Sequence, residues 1–107
     1  MRITVSHNQP KQEVIQRVDR AFDDIFRSAV PGGFVQIVDE QRTWVGDQMN
    51  FAFNAKTPFM TVPVKGLIHV EDAQVTIDIE LPAFINSFLP EQQMKQGLET
   101  KIKGLLT

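Results

Sequence analysis

Cysteine and tyrosine are absent from this 107-residue chain, tryptophan occurs once and histidine twice. The lack of cysteine excludes disulfides, zinc ribbons, iron–sulfur ligation and thiol catalysis together. Serine stands only at Ser6, Ser28 and Ser87, none in a Gly-x-Ser-x-Gly elbow, so a nucleophilic hydrolase has no visible machinery here. No apolar run approaches the roughly 20 residues that span a bilayer, so no transmembrane segment is expected. The opening Met1-Arg2-Ile3-Thr4-Val5-Ser6-His7 is polar at every second position and lacks the apolar stretch of a signal peptide. Cytoplasmic residence is the expectation. There is also no stripe of Lys and Arg, and a net charge of −2 removes the usual footprint of a nucleic-acid binder.

What is present is an ordinary globular composition, 42% hydrophobic and 22% charged, on a chain long enough for one core. Residues 1–107 are therefore expected to form a single domain. Ile3 and Val5 alternate with polar neighbours, as in a half-buried strand. Pro10 then opens a helix, where its missing N–H has no partner to lose. Val14, Ile15, Val18, Ala21, Phe22, Ile25, Phe26 and Ala29 recur at helical spacing, with Asp23 and Arg27 paired at i,i+4. Val30-Pro31-Gly32-Gly33 ends that helix.

Four strands are expected next. Val35 and Ile37 flank Gln36, and Trp44-Val45-Gly46-Asp47-Gln48 reads as a hairpin into Met49, Phe51, Phe53 and Ala55. After Thr57-Pro58, Val62, Val64, Gly66, Ile68 and Val70 alternate with Pro63, Lys65, Leu67 and His69. Glu71 to Gln74 turns the chain into Val75, Ile77, Ile79 and Leu81. Pro82 closes the last strand, and helical spacing returns from Ala83 to Leu106 with a break at Pro90. Gly97 and Gly104 each weaken that helix by about 1 kcal/mol relative to Ala.

The order β-α-β-β-β-β-α, apolar on one face of every strand, predicts an α+β domain with one five-stranded antiparallel sheet and its helices on one face. A curved sheet gripping the last helix is the preferred version, with Gly66 marking a bulge or bend.

Candidate chemistry is sparse, and no catalytic, cofactor-binding or metal-binding residue is assigned. His7 and His69 are far apart in sequence and share nothing unless strands one and four adjoin. Asp78 and Glu80 lie on one face of a strand, but on its wet side, whereas paired catalytic carboxylates usually need a desolvated cleft. Asp39-Glu40 and Glu71-Asp72 are adjacent pairs that point apart in extended backbone. Gly32-Gly33 follows a helix instead of preceding one, so it is no phosphate loop. Phe22, Phe26, Phe51 and Phe53 take core registers. The surplus of apolar residues lies after Phe84, and the candidate contacts with a ligand, a surface or a second copy of the chain are Trp44, Phe84, Phe88, Met94, Leu98 and Ile102.

Three stretches together resemble the small bacterial polyhydroxyalkanoic acid system proteins, named for genes in the region concerned with polyester storage granules. They are Thr4-Val5-Ser6-His7 with Glu13-Val14-Ile15-Gln16-Arg17, Trp44 through Phe51, and Val64 through Val70 leading by Val75 to Pro82. The resemblance covers nearly the whole chain, departing from the pattern at Pro31-Gly32-Gly33 and Thr57-Pro58. It implies a non-enzymatic accessory protein associated with polyhydroxyalkanoate granules or granule proteins. It supplies no catalytic residue, but it includes His7 and the Gly46-Asp47 turn in the shared pattern. The alternative is a small module enclosing an apolar acyl or lipid-like ligand between sheet and last helix. An enzyme acting on hydroxyacyl compounds has no supporting constellation.

Overall fold

The computed structural model describes residues 1–29, 35–87 and 89–107. Strand β1 (Arg2–Ser6) is followed by helices α1 (Lys11–Arg20) and α2 (Phe22–Arg27). A meander follows of β2 (Gln36–Val45), β3 (Gln48–Lys56), β4 (Thr61–Val70) and β5 (Gln74–Glu80). A short 3₁₀ turn (Ala83–Ser87) leads into α3 (Glu91–Leu106). All strands are antiparallel, in the order β1-β5-β4-β3-β2. The last strand therefore returns beside the first, and the α+β reading holds.

The single helix expected after Pro10 is two. Ala21 lies between them at φ −95 and ψ 8, outside helical geometry, although its N–H still reaches the Arg17 carbonyl. The bend lets Val14 and Val18 of α1 and Phe22, Ile25 and Phe26 of α2 all reach the core. The Asp23–Arg27 pair does not form. Arg27 reaches Asp24 instead, at 3.9 Å, because Asp23 faces the sheet. The expected helix end at Val30-Pro31-Gly32-Gly33 lies outside the described residues.

Alternation sends Ile3, Val5, Met49, Phe51, Phe53, Val62, Val64, Ile68, Val70, Val75, Ile77 and Ile79 inward as one sheet face. There they meet Met94, Leu98, Ile102 and Leu106, an i,i+4 stripe along α3. Phe22, Phe26, Phe51 and Phe53 form the centre, with ring centroids 4.9 to 6.0 Å apart. At about 1.5–3 kcal/mol for each fully buried large side chain, this face holds the helices to the sheet. The opposite face carries exposed pairs such as Arg2–Asp78 at 2.8 Å and Lys65–Glu80 at 3.4 Å.

Gly66 marks no bulge. Pairing runs unbroken through it, with Phe51 opposite on one side and Ile79 on the other. A Cβ there would collide with the Asp78 carbonyl and lie 3.0 Å from Phe51 Cζ, so the residue allows a close backbone approach. The bulge is in β2, where two residues, Asp39 and Glu40, between Val38 and Gln41 stand opposite one, Phe53, between Asn54 and Ala52. Asp39 supplies the extra residue at φ 55, a left-handed conformation that Asp tolerates better than most. The inserted residue reverses the phase of the strand. Arg42 and Trp44 consequently fall opposite the inward Phe51 and Met49, while Val45 is left exposed.

Candidate functional site

The two ends of the sheet are built differently. At one end, the short connections after β2 and β4 are tied to β1 and α1. The β2–β3 turn is Gly46-Asp47, with Gly46 at φ 60, where glycine has no steric penalty. Asp47 accepts from Lys11 Nζ at 2.9 Å, and its carbonyl accepts the Val70 N–H at 2.9 Å. Lys11 also lies 3.4 Å from Asp72. The hydrogen bond to Asp47 is the main reason that the Lys11 ammonium holds its proton more tightly than usual. His7 bridges the same end: Nδ1 accepts the Gln9 N–H at 3.2 Å and Nε2 donates to the Glu71 carbonyl at 2.8 Å. His7 and Asp47 thus both act as ties between chain segments. His69 is separated from His7 by the whole of β5, so the two rings share no proton.

At the other end the β3–β4 hairpin projects past its neighbours. β5 stops at Glu80, opposite Lys65, so β4 from Thr61 to Val64 has a strand on one side only. Pro63, which has no N–H to leave unpaired, occupies that stretch. The chain then turns at Pro82 and crosses through the 3₁₀ turn to the start of α3. Sheet, helix ends and crossover line an apolar cavity of about 720 Å³ that is open to solvent on one side. Its walls are Phe53 and Ala55 of β3, Val62 and Val64 of β4, Ile79 and Leu81, Phe26 and Ala29, Val35, Ile85 and Leu89, and Met94 and Leu98 of α3. Among the described residues, Met1, Thr57, Pro58, Phe59, Met60 and Gln93 also line it. The volume lies within the roughly 300–1,000 Å³ of small-molecule sites.

The rim of this cavity is the hairpin turn Thr57-Pro58-Phe59-Met60. Thr57 Oγ1 accepts from the N–H groups of Phe59 and Met60 at 3.3 and 3.1 Å and donates to the Met60 carbonyl at 2.9 Å. The turn is therefore fixed by its own threonine while it holds Phe59 in solvent, 91% exposed. Sequence reasoning missed Phe59; the signal was an aromatic residue directly after Thr-Pro, inside a predicted turn and outside every apolar stripe.

The candidate contact residues do not form one surface. Met94 and Leu98 line the cavity. Ile102 lies deeper, 1% exposed in the core. Phe84 stands on the 3₁₀ turn, about half exposed. Trp44 is remote, half-buried on β2, with its indole N–H donating to Asp19 Oδ1 at 3.0 Å. Phe88 lies outside the described residues.

Carboxylates gather in one further place. Glu40, turned by the bulge, lies near Asp23 and Asp19, with Arg42 Nε 3.1 Å from its Oε1. Burial is the largest influence and raises the Glu40 pKa; Arg42 opposes it, and Asp23 and Asp19 add to it. Arg42 lies over the Phe22 ring, 5.0 Å from its centroid, and donates to the Asp19 carbonyl at 2.8 Å. This cluster fastens the β2 edge to α1 and α2. Asp78 and Glu80 sit on the wet face, each with its cation. Among the described residues no three His, Asp or Glu side chains gather as a metal site, and no helix is long and apolar enough to cross a membrane.

Comparison with known proteins places residues 1–106 in one family model, described as "Putative polyhydroxyalkanoic acid system protein". No curated protein and no solved structure matches the chain. With all but the last residue matched, the chain belongs to that family.

Proposed function

We propose, from this family membership and the cavity together, that the chain is a non-enzymatic accessory protein of the polyhydroxyalkanoate system that holds an apolar acyl ligand between its sheet and α3. The observation that carries the reading is the cavity of about 720 Å³, walled by Met, Phe, Val, Ile, Leu and Ala from every layer of the fold. Water gains few hydrogen bonds in such a space, whereas an acyl chain exchanges exposed apolar surface for contact with it. His7 and the carboxylates of Asp78, Glu80 and Glu40 are engaged elsewhere, at the opposite end of the sheet, on its wet face or at the β2 edge. Native mass spectrometry of the protein purified from polymer-producing cells tests the reading: a bound apolar mass is expected. A ligand-free protein that also takes up no added acyl compound contradicts it.

A second reading, association with the granule surface, is favoured by Phe59, which the hairpin holds in solvent beside the cavity mouth. Sedimentation of granules from polymer-producing cells tests it. The protein is expected in the granule fraction, and its retention in the supernatant counts against this role while leaving ligand binding intact.

A further inference from the structure

Apolar lining alone does not say what the end of an acyl ligand looks like, but the charges around this cavity do. None of the side chains that line it is ionisable. The residues outside the described set, Val30 to Phe34 and Phe88, carry no ionisable side chain either. The amino group of Met1 is directed into the β1–β5 ladder, where it donates to the Ile79 carbonyl at 3.0 Å. An ammonium drawn into the space would lose its hydration and meet no counter-charge, and a carboxylate would lose its hydration with only the Met1 ammonium, already donating to Ile79, among the lining residues. That penalty far exceeds the one for burying an ester or amide group.

Among the described lining side chains, two are polar, Thr57 and Gln93. The Thr57 hydroxyl is consumed by its own turn, donating to Met60 and accepting from Phe59 and Met60. Gln93, on the first turn of α3, is exposed at the rim, and its amide engages no other described residue. An amide has a neutral donor to offer, and a group that only accepts, such as an ester carbonyl, is satisfied by it. A carboxylate drawn inward from that rim would lose water that the neutral Gln93 amide cannot replace with a charge-assisted donor.

We propose that the cavity selects an uncharged acyl ester, its carbonyl at Gln93 and its chain against the Phe53, Val64 and Leu98 walls, over the same chain ending in a charge. This inference rests on the reading of the cavity as an acyl site. A segment of an aliphatic polyester has the required chemistry, and so does a simple alkyl ester.

The test is calorimetric titration of the full chain at pH 7 with methyl decanoate, decanoate and decylammonium, each below its aggregation concentration. The ester is expected to bind at least tenfold more tightly than either ion. Gln93→Leu is expected to weaken the ester by about three- to tenfold, a loss of the size expected for one hydrogen bond. Ala55→Phe, which fills the cavity, is expected to abolish its binding. Decanoate binding as tightly as the ester overturns the inference alone, because the polar end then rests in water at the mouth. An unchanged ester affinity in Gln93→Leu overturns the placement of the carbonyl. Failure of all three compounds to bind removes the inference together with the acyl-site reading beneath it.

Discussion

Gly97 of α3 lies against the carbonyl oxygen of Ser28, so close that a Cβ at position 97 would collide with it. This contact brings the end of α2 onto the first half of α3, above the cavity that both helices wall. A glycine that weakens an isolated helix is here the condition for packing it. Gly97→Ala is therefore expected to destabilise the protein by about 1–3 kcal/mol, the range for forcing extra volume into a packed contact. Gly104, on the same helix, would meet nothing within 4 Å, and Gly104→Ala is expected to stabilise by about 0.5–1 kcal/mol. Urea unfolding of the two variants checks both signs.

Glu40 gives a pH dependence with a definite direction. Its pKa in the folded protein is raised above 4.5, chiefly by burial, with Asp23 and Asp19 adding to the effect and Arg42 opposing it. The folded state therefore holds a proton at pH values where the unfolded chain has released it. By linkage, the contribution of this residue to stability falls as pH rises from about 4.5 through the raised value, and is flat above it. Glu40→Gln is expected to melt at a higher temperature than the parent at pH 7, with the gain shrinking toward pH 4. Thermal melts at both pH values check this; a gain that grows on acidification contradicts it.

The Trp44 indole and the Asp19 carboxylate, 3.0 Å apart, fasten the β2 edge to α1. Trp44→Phe keeps most of the apolar contact and removes the donor, so a loss of about 1–3 kcal/mol is expected, in the range for a hydrogen bond to a charged group. Because Trp44 lies away from the cavity lining, ligand affinity should not change. Loss of ligand binding without loss of stability would reverse that assignment.

Much of the fold was legible because burial writes a simple period into a strand. The alternation from Met49 to Ala55 and from Val75 to Ile79 placed each residue on the face where it lies. The reading failed where one residue changes the phase: the bulge at Asp39 turned Arg42 and Trp44 inward, and no pattern of apolar residues announces an insertion of one. The bend at Ala21 was invisible for a similar reason, since spacing on both sides is helical. The expectation of an apolar space between sheet and last helix did not say at which end of the sheet it lies. The cavity arises from unequal strand lengths, β4 running beyond the end of β5 at Glu80, and lengths at strand ends are set by pairing partners far away in sequence. Phe59 was passed over because turn residues were read as punctuation.

The four methionines provide the most direct test of the central claim. Met1, Met60 and Met94 line the cavity, whereas Met49, near the Gly46-Asp47 turn at the opposite end of β3, is fully buried in the core and does not. In protein labelled with ¹³C at the methionine methyls, titration with methyl decanoate should move the Met1, Met60 and Met94 resonances in a saturable way and leave Met49 in place. Resonances that all stay fixed, or a Met49 shift as large as the others, would contradict an acyl ligand held in this cavity.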